Sequence, residues 1–391
     1  MVNYEYYIPT RLVFGKGQEL RVAELIRFYG GTKVLLHHYG DDFINKSSLL
    51  AQIKKTLDDA GLPWLELGGV LPNPRLSLAR KGAKLCREQG VDFILAIGGG
   101  SVIDSAKAIA AQSKMDTDFW SCFMDGSPIE DAIAIGAVLT ISAAGSEGGG
   151  GLVITNEEVG MKRPYNSPHL FPKFAILNPE LQYTLPKFQT ACGCYDILSH
   201  LMERYFTPET HTEATDRMIE GCAIAILNNA GIVMRDPYNY NARAEITQIG
   251  TLAHNGLLDC GRTADWAAHS MEHELSAFND VVHAAGLSIL TPAWMKYVYK
   301  ANVNRFVQFA VRVFRVDMSY DSLDEIAEEM IRRIEEWAHF LGLPTRLSEI
   351  NFKESDIQTV ADMCFVGMGA TIGNFRPLTR EDVVNILKSA M

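Results

Sequence analysis

The chain has 391 residues, with 36 lysines and arginines against 47 aspartates and glutamates, a formal net charge of −11. That balance argues against a nucleic-acid or anionic-membrane binder, whose affinity rests largely on a positive surface. With 47% hydrophobic and 21% charged residues it reads as an ordinary globular chain, long enough at roughly 150 residues per domain for two or three cores.

The opening MVNYEYYIPTRLVFGKG carries Glu5 and Pro9 where a secretory leader needs an unbroken apolar stretch. Lys33 to Tyr39 reads as a strand, and Leu49 to Gly61 and Leu76 to Gly90 have apolar residues at helical spacing. Asp92 to Ile97 is a second strand, followed by a glycine turn and a helix from Val102 to Ala111. A third strand spans Ile133 to Thr140, then come Leu152 to Thr155 and Phe174 to Leu177. Such alternation predicts an α/β domain over 1–186, with a parallel sheet covered by helices. Beyond Pro186 the patterns are helical, as in Tyr195 to Tyr205, Thr212 to Asn229, Ile246 to Leu258 and Leu323 to Leu341, so 187–391 is predicted to be an all-helical domain. The most apolar stretch, Ala132 to Ala144, falls short of the ~20 residues of a membrane span. Seven scattered cysteines do not form a disulfide framework. A soluble, cytoplasmic protein with reduced thiols is expected.

Gly98-Gly99-Gly100-Ser101 sits between a strand and a helix. Glycines there let an anion approach backbone N–H groups at a helix N-terminus, so the turn is a candidate phosphate site, with a plain tight connection as the competing reading. A second small-residue turn, Ser142 to Glu147 followed by Gly148 to Gly151, ends the next strand. Two such turns at neighbouring strand ends would line the crevice where open α/β sheets bind ligands.

In the second half, Asp196 and His200 form an i,i+4 pair on one helical face, a spacing that alone suits a solvated ion pair as well as a shared metal. His269, His273 and His283 fall within fifteen residues amid alanines. Asp196, His200 and two of these histidines would make a one-oxygen, three-nitrogen site suited to Fe²⁺ or Zn²⁺.

These residues resemble the iron-containing (group III) alcohol dehydrogenase family, in its butanol dehydrogenase and aldehyde reductase branch. The motifs run along nearly the whole chain: Tyr7 to Gly17, Pro72-Asn73-Pro74, Gly98 to Asp104, Gly145-Ser146-Glu147, Lys162, Pro179 to Pro186, the Asp196/His200 pair, Asp265-Trp266 before His269, and Pro377-Leu378-Thr379. The resemblance implies a Rossmann-like dinucleotide-binding domain and a helical metal domain in a dehydroquinate synthase-like architecture. It implies that Asp196, His200, His269 and His283 hold one divalent metal in the cleft between the domains, with His273 beside it. It also implies that Gly98, Gly99, Gly100 and Ser101 contact a dinucleotide pyrophosphate, with Asn73, Asp104, Thr140 and Lys162 around the rest of the cofactor, and with Gly145 and Ser146 facing it from the second turn. The expected chemistry is reversible hydride transfer between NAD(P)H and a short-chain aldehyde. A metal Lewis acid, Fe²⁺ or alternatively Zn²⁺, would polarise the carbonyl, and His273, or a ribose hydroxyl with water, would deliver the proton.

Four features bear on specificity. Asp41 and Asp42 follow the second-strand glycine, and a carboxylate ~4 Å from a 2′-phosphate would repel it by about 4 kcal/mol at an effective dielectric near 20, which favours NADH over NADPH. Gly148 to Gly151 replace larger residues and would open space near the nicotinamide. Glu272 stands where the family commonly has glycine, and Ala144 where it often has a hydroxyl. Arg163 and Arg262 could receive an anionic aldehyde bearing a sulfonate or carboxylate. Competing classes are a dehydroquinate synthase-like metal-dependent lyase, a metallohydrolase, which would need a His-x-His or His-Glu-x-x-His motif that the chain lacks, and a non-catalytic binder. A homodimer is expected as the commonest closed symmetry.

Overall fold

The computed structural model describes residues 1–40, 48–367 and 369–391. By its contacts the chain forms two compact units, one of Tyr7–Leu185 and one of Met1–Tyr6 with Pro186–Met391. The first six residues thus group with the helical half rather than with the α/β half: the Val2 N–H donates to the Gly261 carbonyl, and a Cβ at Gly261 would collide with Met1.

In the α/β unit six strands form one parallel sheet, ordered β1-β8-β5-β4-β2-β3. They are β1 (Arg11–Phe14), β2 (Val34–Tyr39), β3 (Trp64–Val70), β4 (Phe93–Gly98), β5 (Ala134–Leu139) and β8 (Phe174–Leu177). Central β4 is buried along its whole length, as a parallel strand covered on both faces must be. Its side chains alternate between two cores. Ile94 and Ala96 join a cluster with α3 (Leu76–Gln89) and α4 (Gly100–Gln112), whereas Phe93, Leu95 and Ile97 join one with α1 (Val22–Phe28) and α2 (Ser48–Asp59). A separate antiparallel pair, β6 (Gly151–Asn156) and β7 (Met161–Asn166), follows the second turn. From β3 the chain crosses β2 to reach β4, so β2 and β4 are neighbours whose onward connections run in opposite directions. That is the switch point at which doubly wound sheets open a crevice.

Strand β3 escaped the sequence reading. It is an edge strand, half exposed, and its Gly68 and Gly69 dilute the β-rich pattern. Gly68 serves close approach, because a Cβ there would stand 2.9 Å from His38 Cε1 and 3.4 Å from the Gly40 Cα, and Gly69 adopts a φ of 102°.

The helical unit contains α5 (Lys187–Tyr205), α6 (Glu213–Val233), α7 (Tyr240–His254), α8 (Ala267–Asn279), α9 (His283–Val298), α10 (Val303–Arg312), α11 (Leu323–Leu341), α12 (Ile357–Met363) and α13 (Arg380–Ser389) around one apolar core. A buried polar knot ends α5. Arg305 donates to the Tyr205 carbonyl at 2.6 Å and to Asp216, and Arg262 donates to the Arg204 carbonyl at 2.9 Å and to Asp216 at 2.7 Å. Two guanidiniums thereby satisfy the last carbonyls of α5 and complement its negative dipole end. No helix among the described residues is long and apolar enough to cross a membrane.

Candidate functional site

The α/β unit brings the two glycine turns, the candidate phosphate site, side by side. Gly98 ends β4 and Gly100 starts α4, so Ser101 and the first-turn N–H groups sit at a helix N-terminus. Side chains are excluded there: a Cβ at Gly99 would lie 2.0 Å from Ile141 Cγ2, and one at Gly100 would lie 2.9 Å from Ala144 Cβ. The Thr140 N–H donates to the Gly98 carbonyl at 3.0 Å, which ties the two turns together, and Gly145 adopts a left-handed φ of 66° that favours glycine. Asn73, itself at a φ of 55°, accepts from Lys162 Nζ at 2.9 Å, so these two expected cofactor residues meet in a buried pair.

Asp104 is occupied in holding the second turn. Its carboxylate accepts from Ser146 Oγ at 2.6 Å and from the Val153 N–H at 3.0 Å. Lys107, one helical turn on and fully buried, donates to the carbonyls of Ser146, Gly149 and Gly151 at 2.7, 2.8 and 2.6 Å. Burial pulls its ammonium down to about 8, opposed by Asp104 and Glu147. Burial likewise raises the Asp104 carboxyl, with Lys107 opposing. The glycine run does not simply open space, since a Cβ at Gly150 would stand 2.5 Å from the Ser167 carbonyl and 2.7 Å from the Phe171 ring. Asp41, expected to select the cofactor, lies outside the described residues, as does Asp42.

The helical unit gathers Asp196, His200, His269 and His283. Asp196, His200 and His269 each present a ligand atom within 4.8 Å of the others. Asp196 Oδ1 lies 3.8 Å from His200 Nε2 and 3.7 Å from His283 Nε2. Those separations are too long for hydrogen bonds, and they suit two ligands of one cation at bond lengths of about 2.1 Å. Glu203 settles the tautomer of His269: its Oε1 accepts from His269 Nδ1 at 2.9 Å and from the His269 N–H at 3.0 Å, leaving a buried Nε2 without a hydrogen-bond partner. Burial, reinforced by His254 and His269, holds His200 well below the usual imidazolium range, the neutral form a cation requires. The donor set of one carboxylate and three imidazoles, with orphaned nitrogen turned inward, therefore fits a divalent transition metal. His273 lies beside it, its ring 5.5 Å from that of His283 and 6.3 Å from that of His269.

Local backbone explains how α8 presents its histidines. Trp266, at a left-handed φ of 65°, caps the helix start and donates its N–H to Glu203 Oε2 at 2.7 Å, and Asp280, also left-handed, ends it. Asp265 accepts from the N–H groups of Ala267, Asn374 and Phe375, which anchors this start; burial and the Glu203 charge push its carboxyl up to about 7. Sequence reasoning gave no role to Glu203, Asp265 or Lys107. Glu203 had a usable signal, since it lies three residues after His200 on the same helical face. Arg262, offered as a receptor for anionic aldehydes, is spent on Asp216 and main-chain carbonyls. The guanidinium of Arg163 is buried against the Lys162 carbonyl.

A doubly wound unit with glycine turns at its strand ends, carried in one chain with a helical unit that gathers a carboxylate and three imidazoles, is the arrangement expected of a metal- and nicotinamide-dependent dehydrogenase. Residues 9–179 match the iron-containing alcohol dehydrogenase family and residues 190–391 match its C-terminal region. The probable NADH-dependent butanol dehydrogenase 1 of Bacillus subtilis (strain 168) is 41% identical over 391 residues, covering all of both chains. The NADPH-dependent aldehyde reductase YqhD of Escherichia coli (strain K12) is 36% identical over 360 residues, covering 91% of each. Among solved structures, the NADH-dependent butanol dehydrogenase A of Thermotoga maritima superposes with a TM-score of 0.96 at 38% identity, covering 100% of this chain and 99% of that one. The chain belongs to the iron-containing alcohol dehydrogenase family. It is an oxidoreductase that interconverts aldehydes and alcohols with a nicotinamide cofactor and a metal.

Proposed function

We propose that this enzyme reduces short-chain, uncharged aldehydes to primary alcohols with NADH, using Fe²⁺ held by Asp196, His200, His269 and His283. The observation that carries the metal reading is the tautomer lock on His269, which leaves Nε2 bare beside two further imidazoles and a carboxylate. When bound, the cation supplies Lewis acidity toward a carbonyl oxygen and the nicotinamide supplies the hydride. Gly98 to Ser101 and Lys162 offset the phosphate charge of the dinucleotide, with Asn73, Asp104, Thr140, Gly145 and Ser146 shaping the cradle. His273 delivers the proton: as hydride reaches the carbonyl carbon, the former carbonyl oxygen takes up H⁺ from its imidazolium. NADH preference is supported by relatives named as NADH-dependent at 39% to 41% identity and by the acidic Asp41-Asp42 sequence. A neutral substrate is favoured because Arg262 is committed elsewhere. The same four ligands suit Zn²⁺, so the metal is decided by assay rather than by donor type.

A cytoplasmic homodimer completes the reading. It is supported by the seven cysteines, none of them in a disulfide, and by edge strand β1, whose Leu12 and Phe14 are exposed. The test is one matrix on anaerobically prepared apo-protein: Fe²⁺ or Zn²⁺, NADH or NADPH, butanal or a two-carbon anionic aldehyde. Highest kcat/KM with Fe²⁺, NADH and butanal is expected, and a gain with NADPH or the anion would refute that part of the reading. His273→Ala is expected to lower kcat for aldehyde reduction by roughly 10²-fold, the scale of a general acid, and to remove the alkaline-limb dependence of the pH profile, where the imidazolium would lose its proton. An unchanged kcat would move proton delivery to the ribose hydroxyl.

A further inference from the structure

We infer that Glu272 is a positioning residue that holds His283 in place as a cation ligand. The inference rests on the ligand set proposed above. Of the four, His283 is the most loosely enclosed: its side chain is 26% exposed, against 4% or 5% for Asp196, His200 and His269. Glu272, fully buried on the neighbouring helix α8, accepts from His283 Nδ1, which directs Nε2 toward Asp196. This repeats on a second histidine what Glu203 does for His269.

Three features show that the chain is built around this carboxylate. Ser276, one turn along α8, donates its hydroxyl to Glu272 Oε1 and so fixes the other oxygen. Gly286, one turn into α9, leaves the room: a Cβ there would lie 2.8 Å from Glu272 Cγ and 2.9 Å from Oε1. The side chain also lies over the first turn of the sixteen-residue helix α9, whose dipole favours negative charge. A glycine at this position could supply none of these contacts.

The test measures cation binding rather than turnover, on full-length apo-protein titrated with Zn²⁺ against a chromophoric chelator and with Co²⁺ by its visible bands. Glu272→Gln, which keeps the shape and loses the charge, is expected to weaken Zn²⁺ by about 10–100-fold and to shift the Co²⁺ bands. Gly286→Ala, which pushes on the same side chain from α9, is expected to act in the same direction. In a His283→Ala background Glu272→Gln should cost less than about twofold, because its target is gone. An equal loss in both backgrounds, or no loss in either, would overturn the inference. So would two ions bound per chain falling to one in Glu272→Gln, since Glu272, His273 and His283 would then be ligands of a second cation. Asp196→Ala distinguishes the levels: unchanged Zn²⁺ binding there would remove the ligand set itself, whereas lost binding there with intact binding in Glu272→Gln would remove only the role of Glu272.

Discussion

Asp196→Ala is expected to empty the helical unit of its cation and to lower kcat by roughly 10⁴-fold. Asp196 is the one anionic member of the four, and its Oδ1 faces both His200 Nε2 and His283 Nε2. Removing it takes away the charge that offsets a divalent ion and the atom about which two imidazoles are arranged. A Lewis acid contributes several kcal/mol of transition-state stabilisation, and about 5.5 kcal/mol corresponds to 10⁴-fold. Elemental analysis should find metal near one ion per chain in the parent and below a tenth of that in the variant. Binding is also linked to stability: a cation present at 1,000 times its Kd contributes about 4 kcal/mol. The parent should therefore melt higher with metal than without, and the variant should melt alike in both conditions. A variant that retains its metal and its kcat would show that the cation sits elsewhere.

Much of this fold was legible because parallel strands buried on both faces read as continuous apolar runs, as in Phe93 to Gly98, and because helical spacing persists through α5 and α11. Edge strands were harder. Exposed β3 and four-residue β1 bury too little to impose a pattern. In the site, the reactive residue types announced themselves by clustering, whereas the groups that hold them did not. Glu203 lies on the helical face of His200, a spacing that could have been read. Glu272 meets a histidine eleven positions away across a turn, and no periodicity encodes that pairing. Lys107 was hidden by its type, since a lysine in a helix is normally taken as solvated and here is fully buried. The suggestion that Arg262 greets substrate failed for a related reason, because the carboxylate it serves, Asp216, is 46 residues away in sequence.

Lys107→Met is expected to destabilise the α/β unit by about 3 kcal/mol and to weaken dinucleotide binding by roughly 10–100-fold, while cation binding is preserved. The ammonium reaches the carbonyls of Ser146, Gly149 and Gly151 and the Ser146 hydroxyl within a fully buried pocket. Methionine fills a similar volume and donates nothing. Several buried acceptors and the Asp104 carboxylate would lose their shared partner, the situation in which breaking a buried charged interaction costs about 3–5 kcal/mol. What this lysine holds is a run of glycines, which has the most conformational freedom to regain once released. Gly145 to Gly151 would then be disordered in the free protein, and a dinucleotide would have to order the run on binding, so affinity falls through preorganisation rather than through a lost contact. The proposed cation ligands lie in Pro186–Met391, so Zn²⁺ affinity serves as the internal control. Arginine should not rescue, because a planar guanidinium cannot direct its donors at acceptors spaced for an ammonium. Urea unfolding monitored together with NADH titration checks both numbers. Parent-like dinucleotide affinity in a destabilised variant would show that the glycine run keeps its shape without Lys107.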